Sequence, residues 1–222
     1  MSGILGSVLT ELIPLALVVA LSPLSIIPAV LVLHSPQPRP TGLAFLAGWL
    51  VGLAALTAIF VEVSNLFGAL DEPPTWASWL RIVVGAALIV FGIYRWFTRA
   101  KSEHSPKWMQ SLSKLTPPRA AAAGAVLTVV NPKVLFICVA AGLAIGSAGL
   151  GQPGVWAAGL YFVIFAGSTV ALPILAYAVS GERLDPALAR LKDWMERNHA
   201  TLVAAILIVI GLLVLYKGIH AL

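Results

Sequence analysis

Residues 120–146 read AAAAGAVLTVVNPKVLFICVAAGLAIG, a long apolar run with Asn-Pro-Lys near its middle. Its one charged side chain is Lys133, and most of the other residues are apolar. A helix crosses the hydrocarbon core of a bilayer with about 20 mainly apolar residues, so the stretch predicts a transmembrane helix. Because proline removes a backbone donor, Pro132 predicts a kink or a break near the middle of that helix.

The whole chain has the composition of a membrane protein. Of its 222 residues, 59% are apolar and 10% are charged. A soluble domain carries about 25% charged residues. The length fits one membrane domain, residues 1–222. Six stretches are long and apolar enough to span a bilayer, which predicts an all-α integral membrane protein: 4–33, 41–67, 79–97, 120–146, 155–179 and 200–218.

The basic residues predict an orientation in the membrane. If six spans alternate, the loops 34–40, 98–119 and 180–199 lie on one side, and together with Arg95 they hold eleven of the 14 Lys and Arg residues. Cytoplasmic loops are the ones enriched in Lys and Arg. The chain is therefore predicted to lie in the cytoplasmic (inner) membrane with both termini outside. This distribution indicates membrane orientation and predicts no nucleic-acid partner.

The sequence contains no pattern typical of catalysis or metal binding. Its single cysteine, Cys138, lies in an apolar run, and its four histidines lie at span ends or in loops. Ser147, within Gly-Ser-Ala-Gly, and His199 fall on opposite sides of the predicted membrane, so they cannot form a catalytic dyad. We therefore expect a protein that is not an enzyme and that uses no metal and no cofactor.

Two halves of the chain resemble each other. Residues 86–92 (AALIVFG) and 205–211 (AILIVIG) are identical at five of seven positions, and the first and fourth spans both contain a proline break. We predict two three-helix repeats, 1–98 and 119–222, joined by the linker 99–118. An odd number of spans in each half makes this an inverted-topology repeat, which is typical of transporters, with helices 1 and 4 kinked or broken.

Lys133 is the first candidate site residue. At 1.5 Å per residue it lies about 20 Å into the predicted span, too deep for its side chain to reach the surface. A charge there costs about 3 kcal/mol on insertion scales, so it needs a partner, water or an anionic ligand. Asn131 and Pro132 predict an unwound polar pocket beside it, with a simple packing kink as the alternative. Lys133 itself is either a binding residue or half of a structural ion pair.

The matching break in the first span adds Ser22, Pro23 and Ser25. Their polar groups either line the same cavity or bond back to their own helix. We predict that all six residues of the two breaks bind substrate. A coupling or gating role is predicted for four further polar residues, of which the two glutamates are also candidate partners of Lys133: Glu11, Glu62, Asn65 and Thr169.

Small residues recur at four-residue spacing in two spans. Ala44, Gly48 and Gly52 lie in the second span, and Gly142 and Gly146 lie in the fourth. Such faces allow two helices to approach closely. The pattern favours packing inside the chain, and a homodimer seam is the alternative.

The sequence resembles a known family at these same positions. The run SPLSIIPAVLVL at 22–33, followed by Pro36, Arg39-Pro40 and Ala-Gly-Trp at 47–49, resembles the start of the GAP family, the sulfolipid- and glycopeptidolipid-addressing proteins of actinobacterial envelopes. Asn131-Pro132-Lys133 resembles the Asn-Pro-Lys motif of the wider lysine-exporter (LysE) superfamily. The resemblance implies a LysE-like helical fold, with Pro23 and these three residues at the family's motif positions.

The resemblance also implies a function, which is to move a glycolipid or a related anionic envelope lipid toward the cell surface. Amino-acid exporters of the superfamily usually have Pro-Gly in the first span, where this chain has Ser22-Pro23-Leu24. Our leading hypothesis is a flippase-like lipid exporter working by alternating access. The alternatives are a LysE-type exporter of amino acids or other small solutes, and a non-transporting accessory subunit of a larger lipid-export machinery.

Overall fold

A computed structural model describes residues 2–67, 90, 93, 111–194, 197, 198, 201, 208 and 212. The chain divides into two compact units, one of Met1–Ala69 with Pro106–Lys192 and the other of Leu70–Ser105 with Asp193–Leu222. Each unit combines residues of both predicted repeats. The predicted third and sixth spans belong to the second unit and, apart from isolated positions, lie outside the described residues.

The first unit is helical, and the described residues contain no strand. Three of its helices are long and apolar enough to cross a membrane, and the broken pair α4–α5 makes a fourth if it is counted as one span. This pattern is that of an all-helical membrane protein. The helices are α1 Ser2–Ala20, α2 Pro23–Val32, α3 Pro38–Phe67, α4 Pro117–Val130, α5 Pro132–Gly146 and α6 Gln152–Ser180.

Two helices of this unit begin at a proline inside an apolar run. Proline at the first helical position loses no hydrogen bond, and its fixed φ suits the helix. Ser22 and Asn131, the residues before Pro23 and Pro132, have extended backbones with ψ of 120° and 102°. The predicted first span is therefore two helices, α1 and α2, and the predicted fourth span is two helices bent by 73°.

The broken pair α4–α5 crosses the unit in one direction. Its contacts advance steadily along α3, over a length of about 24 Å at 1.5 Å per residue. The pair therefore forms one broken span and does not turn back as a re-entrant loop. Four contacts mark its path: Gly48 with Ala121, Gly52 with Thr128, Phe60 with Gly142, and Ser64 with Gly146.

Helix α6 runs in the opposite direction to α3. Gly42, near the start of α3, lies against Ile174 toward the end of α6, and Gly167 lies against Leu50 further along. The hydroxyl of Thr169 reaches Ala20 at the end of α1. The order of the first two contacts places α6 antiparallel to α3, and the third places Thr169 beside the end of α1.

Glycines allow α3 to touch α4 and α5 backbone to backbone. A Cβ on Gly48 would overlap the carbonyl of Ala121, and a Cβ on Gly142 would lie 2.6 Å from Cβ of Phe60. Gly52 and Gly146 are equally closed by Thr128 and Ser64. The prediction of internal packing is confirmed, and the same glycines are not available as a homodimer seam.

This packing makes a single methyl group costly at Gly124. Its Cβ would overlap the carbonyl oxygen of Phe45 and lie 2.8 Å from the backbone nitrogen of Trp49. We expect Gly124→Ala to lower the free energy of unfolding by about 1–3 kcal/mol, because rigid backbone has to move. Thermal unfolding in detergent measures this change.

The matched control is Gly6→Ala on α1, where a Cβ meets no described atom within 4 Å. Alanine favours a helix over glycine by about 1 kcal/mol, so this variant should be as stable as the parent or more so. If the Gly124 and Gly6 variants unfold at the same temperature, the close α3–α4 contact is wrong.

Candidate functional site

Asn131 connects the two halves of the broken span. Its side-chain Oδ1 accepts a hydrogen bond from the backbone N–H of Lys133 at 3.2 Å and so caps α5. Its own N–H donates to the carbonyl of Leu127 at 3.1 Å, and its carbonyl accepts from the N–H of Leu135 at 3.0 Å. Asn131 is buried. One residue thus ends α4, begins α5 and satisfies a backbone donor that the helix start leaves free.

Lys133 occupies the first turn of α5. Its side chain is half-buried, and its Nζ is buried without a hydrogen bond to any described residue. The N-terminus of a helix carries partial positive charge, which disfavours a cation. A buried charge without a partner adds a desolvation cost. The site therefore has an excess of positive charge that an anion would neutralise.

The two glutamates predicted as partners of Lys133 accept no hydrogen bond from it. Because Nζ makes no hydrogen bond within the described ranges, neither Glu11 nor Glu62 receives one from it. Glu62 is exposed, and its Oε2 accepts a hydrogen bond from Nδ2 of Asn65 at 3.5 Å, one helical turn away. Glu11 is half-buried on α1. Their coupling or gating roles stay predictions.

The break in the first span resembles the Lys133 site in one respect. Ser25 lies in the first turn of α2, and its Oγ is buried with no hydrogen bond in the part of the chain that the structure describes. This hydroxyl makes no hydrogen bond back to its own helix among the described residues, and its place in a substrate cavity stays a prediction. Ser22 is buried at the helix start, where its carbonyl accepts from the N–H of Ser25 at 3.0 Å.

Thr169 has a structural partner that the sequence did not reveal. Its hydroxyl donates to the carbonyl of Ala20, the last residue of α1, which is buried. A buried carbonyl at a helix end needs a donor from elsewhere, and α6 provides it. The contact holds α6 against the end of α1, next to the break at Ser22. The gating role predicted for Thr169 stays a prediction beside this contact.

Three further buried polar atoms escaped prediction. They have no hydrogen bond to the described residues, and they belong to Ser35, Thr41 and Trp49. Ser35 and Thr41 flank the turn between α2 and α3, and Trp49 packs with Phe45 at a ring-centroid distance of 6.3 Å. Sequence patterns mark such residues as polar or aromatic, whereas their burial depends on the neighbouring helices.

The family model described as Sap, sulfolipid-1-addressing protein, matches residues 12–220. The chain belongs to this family. The resemblance to the sulfolipid-addressing proteins, drawn from the run at 22–33 and the residues that follow it, is thereby confirmed. No curated protein and no solved structure matches the chain.

Membership in the sulfolipid-1-addressing protein family agrees with the apolar helices in pointing to a lipid-related membrane protein. The matched range includes both proline breaks, Lys133, and the long helices α3 and α6. A relationship to the LysE superfamily stays a prediction.

The contact between Thr169 and Ala20 can be tested by removing one hydroxyl. Thr169→Val leaves the buried carbonyl without its donor, so we expect the free energy of unfolding to fall by about 1–3 kcal/mol. Thr169→Ser keeps the hydroxyl and should restore most of the loss. Thermal unfolding in detergent compares the variants.

The adjacent residue provides a control on the same helix. Ser168 donates to the carbonyl of Phe165 at 2.7 Å within α6, so Ser168→Ala removes only a local bond. Its stability should stay within about 0.5 kcal/mol of the parent. If Thr169→Val and Ser168→Ala lower the unfolding temperature equally, the hydrogen bond from Thr169 to Ala20 does not stabilise the break.

Proposed function

We propose that this protein is a lipid exporter of the cytoplasmic membrane that binds an anionic headgroup at Lys133. The observation that carries the proposal is the buried Nζ of Lys133, which has no hydrogen-bond partner among the described residues and lies in the first turn of α5. A soluble anion or a lipid headgroup would satisfy this charge. The membership in a lipid-addressing family favours the headgroup.

A sulfate ester suits the chemistry of this site. It keeps its negative charge at neutral pH and offers several acceptor oxygens, while an ammonium group offers three donors. The partial positive charge of the α5 N-terminus would add to the attraction. The family description names a sulfolipid, which is a lipid with this kind of headgroup. At the other break, Ser25 in the first turn of α2 offers a buried hydroxyl that likewise has no hydrogen-bond partner among the described residues.

The arrangement of the helices supports transport by two inverted halves. In each half a span broken at a proline, α1–α2 or α4–α5, is followed by a long helix, α3 or α6. Because α3 and α6 run in opposite directions, these parts of the halves are related as in an inverted repeat. Discontinuous helices in such repeats hold the substrate near the midplane, which is the predicted depth of Lys133.

In this proposal, the lipid binds from one side of the membrane and leaves toward the other by alternating access. No catalytic step, metal or cofactor is needed, and the membrane lipid is the partner. Glu62, Glu11, Asn65 and Thr169 remain the residues proposed for coupling or gating. A homodimer and a larger export machinery are further partners that the proposal allows.

The headgroup site is tested with a matched pair of lipids. Purified protein in lipid nanodiscs is titrated with sulfated galactosylceramide and with its unsulfated parent, and bound lipid is counted by native mass spectrometry. We expect the parent protein to prefer the sulfated lipid. Lys133→Gln should weaken sulfated-lipid binding about 10- to 100-fold, because a hydrogen bond to a charged group contributes about 1.5–3 kcal/mol.

Lys133→Arg keeps the charge and serves as the control. It should bind the sulfated lipid within a few-fold of the parent protein, and both variants should unfold at similar temperatures. Preference for the sulfated lipid that survives in Lys133→Gln would refute the headgroup role. Binding without movement of the lipid in liposomes would favour the accessory subunit, and movement of amino acids but not lipid would favour the solute exporter.

A further inference from the structure

A groove separates α3 and α6 along part of their length. It encloses a cavity of about 200 Å³ and is lined mainly by apolar residues, among them Ala58, Val61 and Val163. Because the two helices are antiparallel, the lining residues pair in order from Ala54 with Val163 at one end to Glu62 with Gln152 at the other. The groove is therefore apolar along its length and polar at one end.

Small residues line the groove, and Gly159 is one of them. A Cβ on Gly159 meets no described atom within 4 Å. On the same helix, eight residues further on, a Cβ on Gly167 would lie 2.6 Å from Cδ2 of Leu50. Gly159 and Gly167 thus have opposite environments. Gly167 is filled by a side chain of α3, whereas Gly159 faces open space.

The open side of the groove is apolar. Both of its helices are long and apolar enough to cross a membrane. Two large side chains of its α6 wall are mostly exposed, Trp156 at 71% and Leu160 at 62%. Exposed apolar surface on a spanning helix contacts lipid tails, and tryptophan is enriched where tails meet headgroups. The end with Trp156, Gln152 and Glu62 is therefore the end at headgroup level.

The charge at that end selects among headgroups. The exposed carboxylate of Glu62 accepts hydrogen bonds and repels anions, and the amide of Gln152 adds a second polar group. A headgroup that fits must offer donors, either the hydroxyls of a sugar or an ammonium group. This chemistry is the opposite of that at Lys133.

We propose that the groove between α3 and α6 binds one alkyl chain of a membrane lipid, with a donor-bearing headgroup at Glu62. The site is a second lipid-binding site, and it rests on the membrane placement of the two helices rather than on transport or on Lys133. Gly159 and Ala58 leave room for the chain, and Trp156 and Leu160 flank it.

Photo-labelling of protein in nanodiscs tests the site. The probes carry the same diazirine-bearing alkyl chain on phosphatidylethanolamine, on a galactosyl diglyceride and on phosphatidylcholine, which lacks headgroup donors. Labelled peptides are mapped by mass spectrometry. We expect labelling at 156–163 with one or both donor-bearing probes, which identifies ammonium or sugar as the source, and less with phosphatidylcholine.

Filling the groove should abolish the label. Gly159→Leu adds a side chain where no described atom lies within 4 Å, so the protein should keep its unfolding temperature while labelling at 156–163 falls about tenfold. Gly6→Leu on α1 makes the same change at another open glycine and should leave the label unchanged. Ala58→Leu fills the groove from the opposite wall and should reproduce the loss if Gly159→Leu unfolds.

The headgroup preference depends on Glu62. Glu62→Gln should bring labelling by the donor-bearing probes close to that by phosphatidylcholine. Lys133→Gln should leave labelling of the groove unchanged. The groove proposal and the headgroup proposal at Lys133 can therefore be refuted separately. Any one of three results would overturn the groove assignment. The first is labelling that persists in both filled variants, and the second is equal labelling by all three probes. The third is a photo-crosslink from position 160 to a second copy or to residues 79–97 or 200–218.

Discussion

Hydrocarbon offers no hydrogen bonds, so every backbone polar group at membrane depth has to find its partner within the protein. The breaks at Pro23 and Pro132 create helix ends that fall under this constraint. The side chain of Asn131 meets it locally, and the hydroxyl of Thr169 meets it from another helix by bonding to Ala20. The breaks thereby become fixed parts of the fold, and Lys133 is held in the first turn of α5.

The two proposed lipid-binding sites follow from different physical causes. At Lys133, a buried cation and the end of a helix both carry positive charge, so an anion is favoured. Between α3 and α6, missing side-chain volume at Gly159 leaves a groove, and the carboxylate of Glu62 lies at its end. The first site selects an anionic headgroup, and the second selects an alkyl chain with a donor-bearing headgroup. A protein that handles lipids has use for both.

Local rules account for the parts of the fold that were predicted. A proline at the first helical position loses no hydrogen bond, and Pro23 and Pro132 each begin a new helix. The residues therefore pointed to both breaks, although Pro14, Pro28 and Pro173 lie inside helices. Glycines at four-residue spacing form one face of a helix, which made close packing of Gly48 and Gly142 predictable. The predicted pairing of Lys133 with Glu11 or Glu62 did not follow from a local rule. It depended on distances between helices, and the structure contains no such hydrogen bond among the described residues.

The residues alone indicate a helical membrane protein with proline breaks and a lysine inside an apolar stretch, because hydropathy and proline geometry depend on residues close together in the chain. Which glycine positions are filled by a neighbouring side chain and which are open depends on how the helices pack. Gly159 and Gly167 lie on the same helix, and their difference comes from α3, whose Leu50 reaches one and whose small Ala54 and Ala58 border the groove at the other. The partner of Thr169 was decided in the same way, because residues 149 positions apart meet only when the helices pack.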